Sequence, residues 1–146
     1  MRMEISNKWL FIILGVILAI ITTINVICSV LFAPRKLSGL IPKNDIVKIE
    51  LKDLGWFNEE TQEVEEKTFV LDETRYDEFV SEIRHTKYKQ RYLKCKCVAS
   101  YEYIIYYSDY SEIHLDELRF RKKVNGEVVK YKDIDFEAKN FYRYFS

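Results

Sequence analysis

The hydrophobic positions of this chain fall into two regimes. Residues 9–32 (WLFIILGVILAIITTINVICSVLF) form one continuous apolar run, and no charge appears until after Pro34. Beyond residue 44, apolar and polar positions alternate with period two and twice switch to a helical period. The first regime predicts a transmembrane helix, the second a folded domain. At 1.5 Å per residue the run makes a helix of about 36 Å, which crosses a bilayer core of about 30 Å with some tilt. Sixteen residues between Leu10 and Phe32 are Leu, Ile, Val or Phe. At roughly 0.3–0.6 kcal/mol each they favour insertion by about 5–10 kcal/mol, which Asn25 does not reverse. The run is longer than the roughly 7–15 apolar residues of a cleaved signal. Leu31-Phe32-Ala33 runs into Pro34 without a small-x-small site, and the bulky Ile27 before Cys28 argues against a lipoprotein signal. The expectation is an uncleaved signal-anchor and a single-pass membrane protein.

Basic residues are balanced across this span: Arg2 and Lys8 with the terminal amine before it, Arg35, Lys36 and Lys43 after it. A short basic tail ahead of an apolar run has the form of a signal-anchor. It favours an inside N-terminus and an extracytoplasmic soluble domain. The expected organisation is a tail at 1–8, the transmembrane helix at 9–32, a juxtamembrane linker at 33–43 marked by Pro34, Gly39 and Pro42, and a soluble domain at 44–146.

Within that domain Val47, Ile49 and Leu51 alternate with Lys48, Glu50 and Lys52, the pattern of a half-buried strand. Residues 58–66 (NEETQEVEE) read as a solvated acidic loop without the glycine of a calcium loop. A second strand follows at 67–71. Tyr76, Phe79, Val80 and Ile83 then fall at i, i+3, i+4 and i+7, which predicts a helix over 73–85 with Thr74-x-x-Asp77 as its capping box. Cys95 and Cys97 are expected to open a strand that continues through 101–108 and returns over 112–116. A change of inward parity at Asp116-Glu117 implies a bulge or tight turn. Strands at 118–124 and 127–131 flank Asn125-Gly126, a type I′ hairpin signal. A last helix, capped by Asp133 or Asp135, would bury Ala138, Phe141, Tyr142 and Phe145. The predicted fold is α+β: an antiparallel sheet of about five to six strands, in the order ββαββββα, with helices packed on one face.

Composition narrows the function. Formal net charge is zero, but from residue 44 onward 18 Lys and Arg stand against 22 Asp and Glu. That acidic balance argues against a nucleic-acid partner. Aromatics reach 15% while Gly and Pro number 4 and 2, which suits a packed domain and not a disordered tail.

Candidate chemistry is sparse. Residues 84–96 hold six bases and no acid: Arg84, Lys87, Lys89, Arg91, Lys94 and Lys96. They make a candidate surface for an anionic partner or lipid, against the plainer reading of a solvated face. Cys95 and Cys97 would share one strand face, which favours buried packing thiols; a disulfide or redox pair is the alternative. Two cysteines and two distant histidines are too few for a zinc site. Glu112, His114 and Asp116 would share an outward face as possible ligands or acid–base groups, a pattern that a polar strand face also makes. In the apolar run, Gly15 and Ala19 form a small-xxx-small pair and Asn25 offers a hydrogen bond, so a homodimer or an accessory subunit of a membrane complex is an option. No P-loop, G-x-S-x-G, H-E-x-x-H or C-x-x-C motif occurs. No cofactor is expected. The reading is a membrane-anchored, non-catalytic binding domain held close to the membrane surface. A thiol redox or other enzyme using Cys95 and Cys97 is the alternative.

Overall fold

The computed structural model describes residues 7–93 and 97–146. The chain divides into two units, one ending at Ala33 and the other spanning Pro34–Ser146. The first is the helix α1 (Asn7–Leu31), long and apolar enough to cross a membrane, with none of its residues buried. The hydroxyls of Thr22, Thr23 and Ser29 donate to carbonyls one turn earlier at 2.7–2.8 Å, so these polar groups are satisfied within the helix.

The second unit begins earlier than its sequence pattern implies. The expected linker is part of the fold. Arg35–Lys36 is a short strand, β1, and Leu37–Gly39 a 3₁₀ turn. Leu37 and Ile41 are fully buried. The Leu37 N–H donates to the Thr86 carbonyl at 2.9 Å, and the Tyr107 hydroxyl donates to the Pro42 carbonyl at 2.9 Å. Seven further strands follow: β2 (Ile46–Asn58), β3 (Glu63–Val70), β4 (Lys87–Gln90), β5 (Tyr101–Tyr107), β6 (Ser111–Asp116), β7 (Arg119–Val124) and β8 (Glu127–Asp135). One helix, α2 (Tyr76–His85), separates β3 from β4.

All eight strands form one antiparallel sheet in the order β1-β4-β8-β7-β6-β5-β2-β3. The expected five to six strands rise to eight because β1 and β4 are short and pair non-locally, which leaves no periodicity to read. The acidic stretch read as a loop is in part strand, since β3 begins at Glu63.

One face of the sheet carries Ile49, Leu51, Tyr103, Ile105, Ile113, Leu115, Phe120 and Ile134, all nearly inaccessible. Val47 does not join them and is 58% exposed. Pairing slips between Ile46 and Lys48, so a bulge at Val47 flips the parity that simple alternation assumes. The helices cover this face. Phe79 on α2 lies 5.4–5.9 Å from the rings of Tyr103, Phe141, Tyr144 and Phe145, and the Tyr103 hydroxyl donates to the Ala138 carbonyl.

The last element, Ala138–Tyr144, is a 3₁₀ helix and not an α-helix. It buries Ala138, Phe141 and Tyr144, a spacing of three; Tyr142 lies at the margin. A 3₁₀ helix has three residues per turn, so the 3.6-residue stripe expected from sequence finds Ala138 and Phe141 but misses Tyr144, while Tyr142 and Phe145 are only partly buried. The start of the helix expected over 73–85 also differs. It begins as a 3₁₀ turn, Glu73–Arg75, capped by Asp72 and not Thr74: the Asp72 carboxylate accepts from the Thr74 N–H at 2.9 Å, and α2 follows from Tyr76. Asn125 and Gly126, with φ of 52° and 84°, make the β7–β8 turn that their sequence signals.

Phe79→Ala should cost about 3–5 kcal/mol in chemical denaturation of the folded unit, because it removes the ring that four other aromatics pack against. Phe79→Leu, which keeps most of the volume, should cost clearly less.

Candidate functional site

The other sheet face carries the charged side chains. Cross-strand partners point to the same face, so the register places Lys48, Glu50 and Lys52 of β2 beside Glu102, Ile104 and Tyr106 of β5. Next come Glu112, His114 and Asp116 of β6, then Arg119, Arg121 and Lys123 of β7. These residues sort into a paired part and an unpaired part.

The paired part centres on His114. Its Nδ1 lies 3.1 Å from Glu102 Oε1 and its Nε2 lies 2.8 Å from Glu112 Oε2. A neutral imidazole donates from one nitrogen only; the imidazolium donates to both carboxylates at once. Arg121 also donates to Glu102 and lies 4.0 Å from Asp116. The strand face is therefore polar, as the sequence pattern implies, but it is not solvated: His114 is 7% exposed and Asp116 4%. With both nitrogens of His114 facing carboxylates, Glu112, His114 and Asp116 do not converge on a shared position. Among the described residues no group of three His, Cys, Asp or Glu side chains is arranged to hold a metal.

Two carboxylates here respond oppositely to burial. Burial penalises the Glu102 anion, but the His114 hydrogen bond and the Arg121 charge outweigh it, and its pKa is lowered. For Asp116 burial prevails over the N–H groups of Leu118 and Arg119 that bond it, and its pKa is raised. Nearby, Glu50 is desolvated yet held low by Lys48 and by the Tyr106 hydroxyl at 2.9 Å.

The unpaired part lies in the half-sheet β1-β4-β8-β7. Counted over both faces, these four adjacent strands carry ten basic residues and three acidic ones, a net of +7; Arg35, Lys122, Lys130 and Lys132 fall on the face of Tyr88 and Phe120, and Arg121 is paired. The half-sheet β6-β5-β2-β3 carries eight acidic and three basic, a net of −5. The basic candidates from the sequence divide accordingly. Lys87 and Lys89 stand exposed on β4, and Arg91 follows them with its N–H bonded to the Asp133 carbonyl at 3.0 Å. Arg84 is diverted: it donates to the Ile41 carbonyl and ties the start of the domain to α2. Lys94, Cys95 and Lys96 lie outside the described residues. Arg35, Lys36 and the β7 cluster join the basic half through strand order, and no local sequence signal marks them as its members.

Cys97 is exposed and disulfide-bonded, not a buried thiol, and it precedes β5 instead of lying within it. Cys28 is free. On α1, Gly15 and Ala19 sit one turn apart, with nothing packed near Gly15. Asn25 lies about 80° round the helix from Gly15 and about 120° from Ala19, so the three do not form one stripe. An open groove of about 1030 Å³ lies between residues 43–47 and the start of α2 and is lined in part by Asp45, Glu73, Asp77 and Glu78.

Comparisons with protein-family models, with curated proteins and with solved structures found no match.

Glu102→Gln should destabilise the folded unit by about 1–3 kcal/mol at neutral pH, since it weakens two charged contacts in a desolvated site. The lowered pKa of Glu102 means that its contribution is present above the ordinary glutamate range and is lost as pH falls through the lowered value. The variant should therefore show a shallower acid limb in a stability–pH profile. Asp116→Asn should do the reverse. The raised pKa makes the folded state lose stability as pH rises through the aspartate range, so the asparagine variant should match or exceed the parent at neutral pH.

Proposed function

We propose that this protein is a membrane-anchored, non-catalytic interaction domain that presents the basic half of its sheet to an anionic partner. The observation that carries this reading is the segregation of charge across the sheet, +7 on four strands and −5 on the other four. A chain whose total formal charge is zero has no such field unless its fold sorts the charges. Among the described residues, none of Lys36, Lys87, Lys89 and Lys123 is in an ion pair. Lys36, Lys87 and Lys89 are exposed and Lys123 is half-buried; unpaired cations on one side of a domain steer anionic partners.

The length of α1 supports a single-pass anchor. The disulfide at Cys97 supports an extracytoplasmic domain, because such bonds persist in oxidising compartments. The same disulfide favours the second reading, a thiol redox protein, since an exposed bond is open to attack by a thiolate. Alkylation with and without reductant, read by mass, separates the two. A bond that resists glutathione-level reductant in the native protein argues for structure, and rapid reduction argues for redox exchange.

Two measurements test the main reading. A tag placed after Ser146 should be removed by external protease from intact cells; protection until lysis overturns the extracytoplasmic placement. On an immobilised sulfated polyanion, the detergent-solubilised full chain should be retained. A triple variant with Lys87, Lys89 and Arg91 changed to Gln should elute at clearly lower salt, while a Glu63, Glu65 and Glu66 to Gln variant should not. Equal elution of the parent and the basic-residue variant overturns the assigned surface.

A further inference from the structure

We propose that the partner of the basic half-sheet is an anionic lipid surface, with Leu93 and Val98 entering the layer beneath the headgroups. This rests on the interaction-domain reading and names its partner. The sheet register sets Lys36 of β1 beside Lys87 of β4, Lys89 beside Asp135 of β8, and Lys123 of β7 beside Val128 of β8. All of them point to the face opposite the helices. Cys97 lies near that face, since its carbonyl accepts from Arg119 Nη2 at 3.3 Å and Arg119 belongs to the same face.

Between β4 and β5 in sequence stand Leu93 and, next to Cys97, Val98, each 84% exposed. They are the most exposed large hydrophobics among the described residues. Val128 and Tyr131, about half exposed, share the face with the lysines. Exposed aliphatic side chains together with unpaired cations match a bilayer surface, where anionic phosphates overlie an apolar layer. A soluble polyanion offers the charge and nothing for Leu93 or Val98 to enter.

Chain length points to the same source. Only residues 32–34 separate the last residue of α1 from the first of β1, so an extended chain reaches about 14 Å from Leu31 to Arg35. An anchored domain on so short a tether meets its own bilayer at high effective concentration.

The test uses the full chain in lipid nanodiscs, with Trp9 and Trp56 changed to Phe and one new reporter, Leu93→Trp. In discs that contain phosphatidylglycerol the reporter should emit to the blue and be quenched by lipid brominated high on the acyl chain. In purely phosphatidylcholine discs both effects should be weak. Changing Lys36, Lys87, Lys89 and Lys123 to Gln should return the anionic-disc signal to that weak level. Val98→Trp should repeat the pattern if the first reporter perturbs the loop, and Val64→Trp on β3 should remain unquenched. An unquenched reporter at both loop positions overturns the lipid assignment. If the polyanion retention described above persists in that case, the interaction-domain reading stands without it. Equal quenching in both kinds of disc overturns the role of charge.

Discussion

Burial of Leu37 and Ile41 is the constraint on which the arrangement of the domain depends. Both side chains are inaccessible to solvent, and they lie only a few residues beyond the apolar helix. Their burial turns an apparent linker into the first part of the fold. Arg84 on α2 reinforces this by donating to the Ile41 carbonyl, and the Thr86 carbonyl accepts the Leu37 N–H. With residues 35–42 clamped in this way, β1 has a fixed edge on which β4 can pair, and β4 in turn covers the end of β8. Without the clamp, a two-residue strand has too little pairing to persist by itself.

That edge decides where the charges collect. β4 and β1 come from distant parts of the sequence, yet they add their bases beside those of β8 and β7. The acidic hairpin β2–β3 lies at the opposite edge. A sheet that ran in sequence order would have placed β4 next to the acidic β3, and the two charges would have cancelled locally. The non-sequential order keeps them apart. It also gives both outer strands charged side chains, Arg35 and Lys36 on β1 and Glu63, Glu65 and Glu66 on β3, which discourages further strand addition.

The parts legible in sequence are those whose periodicity is local and long. The apolar helix, α2 and the Asn125-Gly126 hairpin follow their patterns closely, because each is set by neighbours within a few residues. The parts that were not legible depend on contacts the pattern does not contain. β4, with the sequence KYKQ, is a strand only because β8 and β1 offer it partners. The C-terminal element keeps its expected position but changes period, as the ring of Phe79 and the carbonyl bond of Ala138 hold a tighter helix. Alternation identified Glu112, His114 and Asp116 as one face but not their burial. A polar face turned to water and a polar face closed over by its own ion pairs have the same spelling. The basic stretch at 84–96 was visible as composition, whereas the diversion of Arg84 and the recruitment of Arg35, Lys36 and β7 follow from the fold alone.

The two parts of the charged face do different physical work. Around His114 the charges are mutually satisfied and desolvated, so they add little long-range field; their positions matter for the register of β5, β6 and β7. Beyond Arg121 the pairing runs out. Lys36, Lys87 and Lys89, all exposed and in no ion pair, keep their hydration and their field at no desolvation cost to the fold. A surface that must approach a partner needs this condition, because charges already paired within the domain have nothing left to offer. The divide falls within β7, where Arg121 pairs with Glu102 while Lys123, two residues along the same face, is in no ion pair.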